Sequence, residues 1–225
     1  MVFLFRIWLL FCLLLSSSAF AASQLQDDFS IYHHPFYVGA LGGYGSTTWQ
    51  GLVPAEQNIN IALSISTPIK AVEGGFAWGF YAGYEFLPTF AVEASYMSYP
   101  DATVTFDEMS IFSFNNNNQT VFTTRTQTAS FIGKVLLTIP HTSLRLYSSA
   151  GVADVFRDDM LLSESRVSPT FGAGANYRFT DRIMLEVVGN YTAGFGESRL
   201  NPADNYFPFL YSVTARLAYC FGARL

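Results

Sequence analysis

The side chains of this 225-residue chain that could do chemistry fall into three sets. The first is its 3 histidines, His33, His34 and His141, the available neutral-pH bases and metal ligands. The His33-His34 pair has no cysteine or third ligand near it, fewer donors than a tetrahedral zinc site needs, and reads as an exposed linker. The second set is acidic: Asp101, Asp107 and Glu108 with Asn115 to Gln119, then Asp154, Asp158, Asp159 and Glu164. Such oxygens suit calcium or a receptor, and solvated loop tips carry them equally. The third set is six solitary charges, Glu85, Glu93, Lys134, Arg178, Glu186 and Arg216, each set into a run of aromatic and small residues. Charges so placed either pair with one another or line a path for ions.

Where those six charges point depends on the segments that carry them. Eight segments alternate apolar with small or polar residues, the period of a β-strand, at roughly 36–49, 76–86, 90–99, 126–139, 144–155, 167–179, 182–195 and 208–221. In the second, Phe76, Trp78, Phe80, Ala82 and Tyr84 oppose Ala77, Gly79, Tyr81, Gly83 and Glu85. In the third, Phe90, Val92, Ala94 and Tyr96 oppose Ala91, Glu93, Ser95 and Met97. The fifth alternates less cleanly. Sliding a strand by one residue flips its faces, yet one choice of register per strand places all six charges opposite the aromatics.

Alternation alone also fits a soluble sandwich, so composition and connection lengths must decide. Hydrophobic residues make up 50% of the chain and charged residues only 13%, against about 25% in ordinary soluble domains. After residue 22 no apolar stretch reaches helical-span length, since Lys134 interrupts the best candidate, Phe131 to Ile139. A closed barrel is the remaining way to satisfy every backbone group in lipid. Short turns at Leu87 to Thr89, Pro140 to Ser143 and Thr180 to Arg182 alternate with long connections near Gln50 to Gly75, Pro100 to Arg125, Arg157 to Arg166 and Gly196 to Asn205. Short periplasmic turns and long external loops are the habit of outer-membrane barrels. Aromatics gather at both strand ends, Tyr84, Phe86, Phe90, Tyr177, Phe179, Tyr219 and Phe221 at one and Trp78, Tyr96, Tyr99, Tyr191 and Phe195 at the other, as interfacial girdles would. The fold class is therefore all-β: an eight-stranded antiparallel up-and-down transmembrane barrel over residues 22–225.

Residues 1–21 read as a cleaved secretory signal: Arg6, the apolar run Ile7 to Leu15, then Ala19-Phe20-Ala21 before the cut. The run is too short for a membrane anchor. Leu9-Leu10-Phe11 before Cys12 does not suit lipoprotein processing. Cleavage leaves Cys220 as the single cysteine, so no internal disulfide forms. Of the 12 Lys and Arg, Arg6 leaves with the signal, so 11 face 17 Asp and Glu, a net charge of −6 that argues against nucleic acid as partner. The sequon-like Asn118-Gln119-Thr120 and Asn190-Tyr191-Thr192 carry no weight in a bacterial outer membrane.

Gly83-Tyr84-Glu85-Phe86-Leu87-Pro88 leading into Val92-Glu93-Ala94-Ser95-Tyr96, then Gly133-Lys134-Val135-Leu136, Val167-Ser168-Pro169, Gly172 to Tyr177 and Tyr219-Cys220-Phe221-Gly222 resemble the OmpA-like transmembrane domain and the related opacity-type surface barrels. The resemblance covers nearly all of the mature chain. It implies a monomeric barrel in a Gram-negative outer membrane, with surface loops for adhesion or host contact and, in some members, a narrow pore. It also implies an interior charge network, whose first two positions match Glu93 and Lys134. The next two carry Asn176 and Glu186 where the family has a glutamate and an arginine, so Arg216, Arg145 or Arg178 must supply positive charge. Tyr219 and Phe221 resemble the C-terminal aromatic signal read by barrel-assembly machinery, although Gly222 to Leu225 follow them. The larger members carry a peptidoglycan-binding domain, and the chain stops at Leu225 with no such wall anchor expected.

Enzymes on this scaffold need a histidine base near the outer leaflet, whereas all three histidines fall at the periplasmic end. The chain is accordingly expected to be no enzyme and to need no cofactor or metal. The leading expectation is a structural or adhesive surface barrel, seated among outer-membrane lipid and lipopolysaccharide, with loops 50–75 and 100–125 facing a host receptor. A narrow channel for ions or small solutes is the alternative, and a soluble ligand-binding barrel a remote one. An eight-stranded interior is just wide enough for side chains to fill, which favours a plugged lumen.

Overall fold

Bulky apolar residues at every second position make each segment a strand with one face suited to lipid and one to a packed interior. A computed structural model describes residues 34–54, 67–195 and 206–222. The signal and its cleavage site, His33 and the connection 196–205 lie outside the described residues.

Ten strands follow in order: β1 (Phe36–Thr47), β2 (Lys70–Val72), β3 (Gly75–Leu87), β4 (Phe90–Ser98), β5 (Ala102–Thr105), β6 (Val121–Thr138), β7 (Leu144–Asp158), β8 (Ser163–Arg178), β9 (Ile183–Thr192) and β10 (Leu210–Phe221). Eight of them form an antiparallel ring, β1-β3-β4-β6-β7-β8-β9-β10, closed where β10 returns to β1 with Phe36 opposite Phe221 and Thr47 opposite Leu210. The fold is the expected closed eight-stranded barrel. Phe76, Phe80, Phe131, Val187 and Leu217 point outward and are exposed, while Tyr37, Tyr81, Ile132, Met184 and Ala218 are buried inside. Tyr99 departs from the girdle expected of it. It is buried in the interior with Tyr81, Met97 and Phe207, because it continues the inward face of β4.

Two strands depart most from their expected bounds. β6 begins at Val121 rather than near 126 and β8 at Ser163 rather than near 167, while β7 runs on to Asp158. The added stretch of β6 pairs with β5, and β5 with β2, which makes a small three-stranded extension beyond the barrel rim. Its residues alternate without a membrane-facing band, so the sequence reads there as loop. The second long connection is therefore folded, with β5 followed by a short helix, α1 (Ile111–Asn115), whose N-cap Ser110 accepts from the backbone N–H of Ser113 at 3.1 Å. Asn117 and Asn118 end it at φ 54° and 63°, a left-handed backbone that Asn tolerates. Trp49, Val104, Phe106, Phe112, Phe122 and Tyr206 pack together as a separate core over this end, with Phe106 stacked on Phe112 at 4.4 Å. Full burial of side chains this large contributes about 2–3 kcal/mol each.

Candidate functional site in the barrel interior

Strand parity delivers the six solitary charges to the lumen, where all are buried. Geometry sorts them into two clusters stacked along the barrel axis. Near the short turns, Glu85 of β3 accepts from Arg145 Nη2 at 2.7 Å and Nη1 at 3.1 Å, and from Arg178 Nη2 at 2.8 Å. Arg178 stands four strands round the ring from Glu85, so this contact crosses the full lumen. Arg145 also donates through Nε to Asn176 Oδ1 at 2.9 Å. That is the position where a family glutamate was expected, and a neutral amide suffices there because Glu85 already holds the guanidinium.

Farther in, Lys134 Nζ lies 2.6 Å from Glu93 Oε2 and 3.1 Å from both oxygens of Glu186. Arg216 Nη1 bridges the same two carboxylates at 2.7 Å and 3.2 Å. Tyr37 donates to Glu93 at 3.1 Å and Tyr147 to Glu186 at 2.5 Å, and the Lys134 ammonium sits 4.5 Å from the Tyr147 ring centroid. A Cβ at Gly83 would run into the Tyr37 ring, so glycine keeps that tyrosine in reach of Glu93. Four cations, Lys134, Arg145, Arg178 and Arg216, thus meet three carboxylates, Glu85, Glu93 and Glu186, an excess of one positive charge. Of these, Arg145 lies on the strand whose alternation is least clean. Its shared parity with Tyr147 and Ser149 is the signal that places it inside.

The long-loop end is closed by different chemistry. Arg157, buried on the inward face of β7, donates to Asp159 Oδ2 at 2.6 Å and to the Tyr206 carbonyl at 2.6 Å, and its guanidinium carbon lies 4.8 Å from the Trp49 ring. Trp49 opens a 3-10 turn, Trp49–Leu52, directly after β1, and Glu73 anchors that turn by accepting from the backbone N–H groups of Trp49 and Gln50. Burial pushes the Glu73 carboxyl above the usual carboxylate range, against the downward pull of the Gln50 and Trp49 N–H groups.

The acidic loop groups separate. Asp159 is taken up structurally by Arg157 and by the N–H groups of Leu161 and Leu162. Asp107 accepts from the Met109 N–H at 2.9 Å. Asp154, grouped with the loop acids by its charge, lies on β7 within the bounds expected of that strand and faces outward. No group of three or more His, Cys, Asp or Glu able to hold a metal occurs among the described residues. His34 Nδ1 is 2.5 Å from the Gly222 carbonyl oxygen, which ties the chain entry to the end of β10 rather than leaving a free linker. His141 sits in the turn after β6 with φ 61°. Tyr219 and Phe221 point outward on β10.

A family model described as the outer membrane protein beta-barrel domain matches residues 10–221. Among solved structures, the outer membrane protein OprG of Pseudomonas aeruginosa is 13% identical with a TM-score of 0.52, over 85% of this chain and 98% of that one. The outer membrane protein AlkL, solved in lipid bilayers, is 16% identical with a TM-score of 0.52, over 86% of this chain and 94% of that one. No curated protein matches the sequence.

Proposed function

The chain belongs to the outer membrane protein beta-barrel domain family, and from that premise we propose that it is a non-enzymatic surface barrel of the bacterial outer membrane, solid through its centre, whose ordered external end makes contact with host or envelope partners. The observation that carries this reading is the crossing of the lumen at three levels, by Arg178 with Glu85, by Lys134 and Arg216 with Glu93 and Glu186, and by Arg157 with Trp49. Charged pairs fixed this tightly have already replaced their hydration with one another, and an ion passing between them would have to break both partners of a buried pair. The wall supplies insertion, Tyr219 and Phe221 the assembly signal, and residues 1–21 the export signal removed before Ala22. N-terminal sequencing of the membrane-fractionated protein checks the last of these.

Contact falls to the extension built from β2, β5 and α1, which presents Val72, Met109 and Phe114 to solvent over a packed core. A surface on a rigid base recognises a partner with less ordering cost than a mobile loop. The test is liposome swelling with small sugars and amino acids on refolded full chain, alongside adhesion of cells carrying it. Adhesion without swelling is the expected result. Swelling above that of empty vesicles overturns the solid barrel in favour of the small-solute channel, a reading favoured by the one excess positive charge inside.

A further inference from the structure

The outer wall carries one feature that insertion does not need. A recess of about 580 Å³ runs across β1, β3, β4, β6 and β7, floored by Ala82, Ala94 and Ala129 and edged by Phe80 and Phe131. Asp154 lines it. Below the level where Arg125 and Asp158 face each other, Asp154 is the one acidic or basic side chain on the outward face of the barrel strands among the described residues. Its cross-strand partners are Ala129 and Val167, and its outward neighbours on β7 are Val152 and Phe156. Its Oδ1 is shut away from solvent, and the carboxylate has no hydrogen-bond or ion-pair partner among the described residues. An ionisable group on a lipid-facing surface is costly, and where one persists it marks a functional contact whose partner can be named by charge.

The direction of the recess narrows the choice of partner. At its β1 end Val38 is two residues from the short-turn start of that strand, whereas at its β7 end Asp154 is four residues from the long-loop end. The recess therefore climbs the wall from an apolar lower part to an anionic upper part, the same polarity as a lipid of the outer leaflet with its head up and its chain down. A bare carboxylate repels a purely anionic headgroup and attracts an ammonium.

We propose that this recess binds one acyl chain of an outer-leaflet lipid whose headgroup carries an ammonium group, which donates to the Asp154 carboxylate. The site rests on the outer-membrane placement above and is independent of whether the lumen conducts. Alanines set the depth for the chain, and Asp154 selects the head.

The test uses the full chain inserted in bilayers of phosphatidylethanolamine and phosphatidylglycerol, with each lipid spin-labelled in turn and the motionally restricted fraction read by electron paramagnetic resonance. Phosphatidylethanolamine is expected to be restricted about fivefold in preference to phosphatidylglycerol, the size of one charge interaction at a membrane surface. Asp154→Asn should abolish the preference. Ala129→Leu, which keeps the carboxylate and fills the floor, should release the restricted phosphatidylethanolamine, and it decides the matter alone if Asp154→Asn does not insert. Equal restriction of the two lipids by the unaltered protein overturns the site, as does a preference that survives Ala129→Leu or an inserting Asp154→Asn. Failure of the outer-membrane placement would show separately, as absence of a heat-modifiable inserted form of the unaltered chain.

Discussion

Trp49, immediately after β1, lies 4.8 Å from the guanidinium carbon of Arg157 on β7, four strands away round the ring and so on the opposite side of the mouth. One contact thereby ties the two halves of the rim together and draws the turn Trp49–Leu52 over the lumen. Arg157 also holds Asp159 and the carbonyl before β10, so it joins three of the connections at this end.

Replacing that guanidinium should open the lid without opening the barrel. In Arg157→Ala the Asp159 carboxylate stays buried without its cation and the Tyr206 carbonyl loses its donor, a local loss on the order of 3 kcal/mol. Hydrogen exchange should rise at Trp49–Leu52 while heat-modifiable migration persists. Unchanged exchange there would show that Arg157 does not hold the lid.

Glu73 makes the lid pH-sensitive. Its carboxyl is raised in the folded state, so its stabilising contribution is present at low pH and is lost as pH rises through the folded value. Acrylamide quenching of Trp49, read in a Trp78→Phe background, should therefore increase as pH rises from about 4 to about 7. Glu73→Gln keeps an acceptor for the Trp49 and Gln50 N–H groups without the buried charge, and its quenching should stay low and flat with pH.

The lower cluster depends on one carboxylate. Glu85→Gln removes the carboxylate that Arg145 and Arg178 share from the neighbouring strands β7 and β8, leaving two guanidinium groups side by side, which should cost about 3–5 kcal/mol and lower the urea midpoint in lipid vesicles. Arg178→Gln should cost less, because Arg145 keeps both of its bonds to Glu85. Equal midpoints for the two variants would contradict the central place given to Glu85.

Parity made much of this legible in advance. A strand that must face lipid on one side favours charges on the other, so the inward placement of Glu85, Glu93, Lys134, Arg178, Glu186 and Arg216 follows from their phase against the aromatics, Asp154 being the exception. Which charge meets which does not follow, since it depends on strands far apart in the chain, as with Arg216 reaching Glu93 across the lumen. The lid was hidden for a different reason. Val121 to Thr124 pairs with the short strand β5 above the rim, where no membrane imposes alternation on one face, and Trp49 acts through tertiary contacts that its place after β1 does not announce.

The closed lumen is tested most directly by planar-bilayer recording on the refolded full chain. Three levels of crossing side chains predict only the leak of the bare bilayer, with no steady unitary conductance. A steady conductance in the unaltered protein that Lys134→Ala or Glu186→Ala changes or abolishes would contradict it, because ions would then be passing through the very pairs taken to seal the barrel.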